Sequence, residues 1–144
     1  MDIRKAANED TQAVTCMALL LWPSHTYDEL FPEMLEAVVG DDTATFLAWE
    51  AEEPVGFAQC SLRRDYVEGV GHGPAGYLEG IFVRKDFRRR GIARSLTDAC
   101  QAWARERGCL DFASDCELDN VESYRFHLAI GFREVNRVIC FLRK

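Results

Sequence analysis

No apolar run in this chain approaches the roughly 20 residues that a bilayer span needs, so no membrane-crossing helix is expected. The opening stretch, MDIRKAANED, is too polar for the apolar core of a secretory signal, and a cytoplasmic location is expected. Repeats, low-complexity tracts and linkers are lacking, so residues 1–144 are expected to form a single domain. None of the six cysteines (Cys16, Cys60, Cys100, Cys109, Cys116, Cys140) forms a C-x-x-C pair, and no His/Cys cluster has zinc spacing. No metal is expected. Without a secretion signal an even cysteine count does not imply disulfides. Most of the six sit in apolar stretches, which reads as free, buried thiols.

Basic residues are in short supply, 17 against 24 acids, for a net charge of -7. That overall field disfavours nucleic acid and favours cationic partners. What is present is otherwise ordinary: 144 residues, 48% hydrophobic and 28% charged, enough for one core and too apolar for disorder. The charge is unevenly spread. Six basic residues (Arg84, Lys85, Arg88, Arg89, Arg90, Arg94) and one acid, Asp86, fall between Arg84 and Arg94. The segment is +5 on a chain of -7, which leaves -12 elsewhere. This pattern suits a polyanion at one place and a polycation at another.

The elements alternate in type. A weak strand is expected over residues 1–5. Residues 9–21 read as a helix, with Val14, Ala18 and Leu21 at helical spacing, Asn8 as N-cap and Pro23 beyond the end. A shorter helix is expected from Pro32 to Val39, with Gly40 as its stop. Ala44–Glu50 and Val55–Leu62 read as strands of a hairpin turned by Glu52-Glu53-Pro54. Residues 63–76 form a long glycine-rich loop of the kind that binds ligands. Tyr77–Val83 reads as a strand, and Gly91–Arg107 as a helix with Ile92, Leu96, Ala99, Cys100 and Trp103 on one stripe. Cys109–Ser114 as a strand, Asn120–Ile130 as a helix, and Asn136–Leu142 as a last strand complete the order. The sum is a mixed α/β layered domain.

The informative junction is Ile81-Phe82-Val83, a basic turn, then Arg88-Arg89-Arg90-Gly91-Ile92-Ala93 at the start of a helix. The first amides of a helix have no internal acceptor, and the helix dipole makes them attractive to anions. Gly91 and Ala93 keep side chains clear, so a pyrophosphate can approach the backbone. Arginines in a turn are usually just solvated. The preceding strand, the small-residue spacing and the following amphipathic helix together point further.

Strand, Arg-x-x-Gly-x-Ala, helix resembles the acetyl-CoA motif of the GNAT superfamily of N-acetyltransferases. That family's second element, Asn, a short helix, then Gly-Phe, is matched by Asn120 through Gly131-Phe132. Trp22-Pro-Ser-His25, Arg64 to Gly69, Gly76 to Val83, Ala113 to Glu117 and Asn136 to Phe141 further resemble the aminoglycoside 6'-N-acetyltransferases. The resemblance covers essentially residues 1–144. It implies the GNAT fold: a central mixed, mostly antiparallel sheet with a splayed parallel strand pair, flanked by about four helices.

The resemblance also implies site residues. The pantetheine arm of acetyl-CoA would pair with the backbone of Ile81, Phe82 and Val83, and its pyrophosphate would sit on Arg89, Arg90, Gly91, Ile92, Ala93 and Arg94. Asn120 would touch the arm, although a plain helix N-cap is an equal reading. Substrate contacts carried over are Trp22, His25, Tyr66, Glu79, Asp115 and Asn136. Glu79 and Asp115, on the strands beside the splay, would orient ammonium groups, and Glu79 is the candidate proton relay. The Val83 amide would stabilise the developing oxyanion. Many members carry a tyrosine acid where this chain has His127. Either His127 protonates the leaving thiolate or the thiolate leaves unassisted, and a modest role for His127 is expected.

The expected reaction is acetyl transfer to an aminoglycoside amine, with a homodimer expected on resemblance alone. A polyamine, another small amine or a protein lysine is the alternative acceptor. A noncatalytic module binding nucleic acid or acyl-CoA through Arg84–Arg94 is a reading of a different class, and the acidity of the rest opposes nucleic acid.

Overall fold

The computed structural model describes residues 1–71 and 73–144. A five-stranded sheet carries its strands in chain order: β1 (Asp2–Lys5), β2 (Thr43–Glu50), β3 (Glu53–Arg63), β4 (Ala75–Val83) and β5 (Phe112–Ser114). The first four are antiparallel to their neighbours, and β5 runs parallel to β4. Of four α-helices, α1 (Thr11–Leu21), α2 (Tyr27–Val39) and α3 (Ile92–Glu106) cover the two faces, and α4 (Val121–Ala129) has no buried residue. The layering follows from the sequence. Leu96, Cys100, Trp103 and Ala104 recur at helical spacing on α3 and pack with Ala58, Cys60 and Leu78 on one face of the sheet. Val14, Met17 and Ala18 of α1 with Leu30, Met34 and Val38 of α2 cover Leu47, Phe57 and Phe82 on the other.

Two irregularities position the site. Between β3 and β4 the register slips, so that Cys60 pairs with Leu78 but Gln59 pairs with Gly80, and Glu79 is the extra residue of a β-bulge. The phase of β4 therefore changes at Glu79: Leu78, Ile81 and Val83 pack toward α3, while Phe82 packs toward α1 and α2. The second is the end of the parallel ladder. Its last rung joins Leu78 to Ser114, and β4 continues to Val83 without a partner on that side.

Several expectations need correction. The second helix begins at Tyr27, five residues before Pro32, because Thr26 and Glu29 form a reciprocal capping box. Pro32 lies inside it and costs one backbone hydrogen bond. Asn8 opens a short 3-10 turn rather than capping α1. The hairpin turns at Ala51-Glu52, with Ala51 at φ 54°, and Pro54 already pairs with Trp49. The strand expected over Cys109–Ser114 is confined to its last three residues. Residues 136–142 are not a strand at all. They pair with none of the described strands, and Val138, Ile139, Phe141 and Leu142 stand 71%, 79%, 91% and 83% exposed. Only Cys60, Cys100 and Cys109 are buried; Cys16 and Cys140 are exposed. The Cys100 thiol is pushed up by its hydrogen bond to Cys60 and by burial, which leaves it unreactive.

Candidate active site

The gap beyond the Leu78–Ser114 rung is the centre of the site. Arg84 donates its amide to the Val55 carbonyl on β3 at 2.8 Å. Successive amides of a strand face opposite edges, so those of Val83 and Ile81 face the open side. The Phe82 amide faces β3 by the same alternation, and its ring packs on Phe57 with centroids 6.3 Å apart. The sequence places Ile81, Phe82 and Val83 together, and the structure gives the open-edge backbone to Ile81 and Val83.

The basic turn follows directly. Arg89 (φ 65°) and Gly91 (φ 78°) are both left-handed, which curls the chain into a concave run of amides before α3. The first helical hydrogen bond is Ser95 N–H to the Gly91 carbonyl at 3.0 Å, so the amides from Arg89 to Arg94 precede it. A Cβ built on Gly91 meets nothing within 4 Å, so the space before it is open. The donors and the vacant approach fit a diphosphate. The arginines divide the work. Arg88 donates to the Val83 carbonyl at 2.8 Å and Arg94 to the Ala129 carbonyl at 2.7 Å, fixing the turn and α4. Arg90 lies 5.1 Å from the Phe87 ring centroid, on the surface. Asn120 caps α4 by accepting from the Ser123 amide at 3.1 Å.

The structure brings Glu79 and Asp115 into one polar cluster. Glu79 accepts from Ser61 Oγ at 2.5 Å and from Arg63 through Nε at 3.0 Å and Nη2 at 2.7 Å. The Arg63 guanidinium lies 3.5 Å above the Tyr77 ring, and Tyr77 donates to Asp115 at 2.5 Å. Burial first, then the Asp115 carboxylate, push the Tyr77 phenol well above its ordinary value, so it stays a donor. Ser61, Arg63 and Tyr77 were not anticipated from sequence. The signal available was alternation, since Ser61, Arg63 and Tyr77 share the face on which the bulge presents Glu79.

Trp22 and His25 line a separate cleft of about 600 Å³ between α2 and β3. Glu33, Glu36 and Gln59 share its wall and were also not anticipated. Trp22 also rests against β4 at Gly80, where an added Cβ would come within 2.9 Å of its ring. Tyr66 and Asn136 are elsewhere. Both hydrogen-bond Glu68, which ties the glycine-rich loop to the C-terminal segment. His127 approaches Ser114 at the root of the gap. Among the described residues no group of three His, Cys, Asp or Glu side chains is arranged to hold a metal.

The comparisons agree with this geometry. The acetyltransferase (GNAT) family model matches residues 5–132. The aminoglycoside N(6')-acetyltransferase type 1 of Salmonella enteritidis is 40% identical over 144 residues, covering 100% of this chain and 99% of that protein. Its counterpart from Acinetobacter baumannii is 37% identical over 142 residues, covering 98% and 94%. Among solved structures, AAC(6')-Iy in complex with the bisubstrate analogue CoA-S-monomethyl-acetylneamine has a TM-score of 0.93 at 37% identity, covering 99% of this chain and 97% of that one. With an opened parallel pair, an anion-receptive turn and these relatives in accord, the chain belongs to the GNAT acetyltransferases, and among them to the aminoglycoside 6'-N-acetyltransferases.

Proposed function

We propose that this protein transfers the acetyl group of acetyl-CoA to the 6'-amino group of aminoglycoside antibiotics. The observation that carries the reading is the gap between β4 and β5, with anion-receptive amides at one side and the Glu79–Asp115 cluster at the other. Acetyl-CoA supplies an activated thioester carbonyl. Ile81 offers its outward backbone groups to the pantetheine arm and Val83 its amide, its carbonyl being held by Arg88, and the amides from Arg89 to Arg94 hold the diphosphate. Phe82 keeps the strand in place from behind, and Asn120 keeps its Nδ2 donors for the arm while its oxygen caps α4.

On the acceptor side, Trp22 and His25 bound the cleft that admits sugar rings. Glu79 and Asp115 attract the ammonium. An amine of lysine type titrates near about 10.4, so the charged form arrives and must lose a proton. Glu79 takes that proton, directly or through water. The Val83 amide then faces the oxygen on which charge develops. Alignment of amine and carbonyl supplies much of the acceleration.

Two finer readings go with this. Among the described residues no helix is long and apolar enough to cross a membrane, and the cytoplasm is where acetyl-CoA is available. A homodimer is favoured by a specific observation. Ten of the fourteen large apolar side chains that stand exposed belong to residues 110–142. The three-residue β5 has a free outer edge, and α4 has no fully buried residue. A second copy has the same free edge and the same unpaired C-terminal segment, so a two-fold pairing satisfies both at once. Tyr66 and Asn136, joined through Glu68 at the root of that segment, would meet substrate at such an interface.

The test is steady-state thiol release with kanamycin-, tobramycin- and gentamicin-type drugs, followed by mapping the acetylated position. Acetylation at the 6'-amine is expected. Turnover of polyamines or protein lysines without turnover of the drugs overturns the reading.

A further inference from the structure

The carboxylate that should receive the acceptor's ammonium is already occupied by a cation of the same chain. Arg63 chelates Glu79 with two nearly parallel hydrogen bonds, 3.0 Å from Nε and 2.7 Å from Nη2. Its guanidinium is stacked on the Tyr77 ring at 3.5 Å, and Tyr77 in turn donates to Asp115. The hydrogen bonds to Glu79 come first, ahead of the field of Asp115, in holding Arg63 more firmly protonated than usual. The guanidinium thus lies between the two acids of the site. It is not sealed in: its side chain is 42% exposed and that of Glu79 31%, so the pair is open to solvent.

We propose that Arg63 is an affinity-setting residue, an internal stand-in for the substrate's ammonium that any acceptor must displace from Glu79. A bidentate guanidinium tethered to the adjacent strand competes with any incoming amine. A short amine offers one ammonium to one contested carboxylate and occupies it only at high concentration. A polycationic aminosugar has further anchorage along the cleft of Trp22, His25, Glu33 and Glu36, and that added attachment works as a raised effective concentration at Glu79. Displaced, Arg63 moves outward and leaves Ser61 still donating to Glu79. The displacement cost is common to every acceptor, so it sets the affinity that the remaining contacts must supply.

This inference rests on the aminoglycoside reading, and binding separates the two. Calorimetry measures putrescine and a kanamycin-type drug on wild type, Arg63→Gln and Arg63→Lys, with circular dichroism confirming the fold. Arg63→Met, which keeps the stem over Tyr77, replaces the glutamine variant should that variant be unfolded. Arg63→Gln is expected to bind both putrescine and the drug about tenfold more tightly. Arg63→Lys, which keeps a tethered cation, is expected to stay near the wild-type affinities. Binding of either ligand that is unchanged or weaker in Arg63→Gln overturns the inference. Thiol release with the drug on the same wild-type preparation tests the function reading on its own.

Discussion

His127 Nε2 lies 2.8 Å from Ser114 Oγ, and the opposite ring nitrogen lies 2.7 Å from the Ser123 carbonyl. A carbonyl only accepts, so Nδ1 carries a proton, and Nε2 shares the second hydrogen bond with Ser114. Ser114 Oγ is also 3.2 Å from the Leu78 carbonyl. The imidazole therefore joins α4 to the root of the gap, and Phe132 packs on it with centroids 5.2 Å apart. His127→Ala is expected to lower stability by about 1–3 kcal/mol, through unpaired groups around Ser114. Turnover is expected to stay within about tenfold of wild type, less than the removal of a true general acid costs. Thermal unfolding and kcat together check this. Abolished turnover with unchanged acetyl-CoA affinity would make His127 the acid instead.

Tyr77 should resist alkaline titration. Its phenol is raised by burial and by Asp115. A raised value means that the neutral form is favoured in the folded state. Its contribution to stability is complete below the ordinary value of 10.0 and is lost as the pH climbs above it through the higher folded value. In a spectrophotometric titration of the four tyrosines, one should ionise only as the protein unfolds. Tyr77→Phe should abolish that late step. A late step that survives in Tyr77→Phe would contradict the assignment.

Gly91→Ala tests the turn. The position is at φ 78°, which costs an alanine about 1–2 kcal/mol. The new methyl meets no protein atom, so the further effect falls on the ligand that must approach there. Acetyl-CoA affinity should fall by about tenfold, with drug affinity in the absence of cofactor unaltered. An equal loss for both ligands would mean that the turn matters only for folding.

Gly80→Ala tests the acceptor cleft from behind. The added methyl would sit 2.9 Å from the Trp22 ring and 3.4 Å from the Gln59 side chain. The indole has to shift, and overpacking of this kind costs about 1–3 kcal/mol. KM for the drug should rise while KM for acetyl-CoA does not. Gly76→Ala is the control in the same strand. Its methyl would come within 2.5 Å of Ala104 Cβ and 2.7 Å of Phe112, so stability should fall without a selective effect on either substrate.

Sedimentation of the full chain tests the dimer. A species of twice 16.4 kDa is expected at micromolar concentration. Ile139→Arg should return it to the monomer while circular dichroism is retained. A wild-type monomer at that concentration would remove the dimer from the account.

Much of this molecule is written locally. The α3 stripe, the Gly91 start and the β2–β3 hairpin are visible because each depends on residues close in sequence. The start of α2 was equally local, since Thr26 and Glu29 are three residues apart, but Pro32 drew the boundary to itself. The Arg63–Glu79 chelation was not legible. It depends on a register slip between two strands, which no periodicity within either strand reveals. The C-terminal strand failed for a related reason. Its alternation was readable, but a strand also needs a partner, and this segment pairs with none of the described strands.

The slip at Glu79 has a wider meaning for how such a strand can change. One surplus residue breaks the in-and-out rhythm of β4, so position 79 owes nothing to either apolar layer. A charge there displaces no core side chain, and replacing it touches only its polar neighbours Ser61 and Arg63. Shortening the strand by that single residue would mend the ladder and keep the same side chains pointing inward on both halves, at the cost of the carboxylate. The irregularity is thus where the fold leaves room for chemistry, and a more perfect sheet would be an inert one.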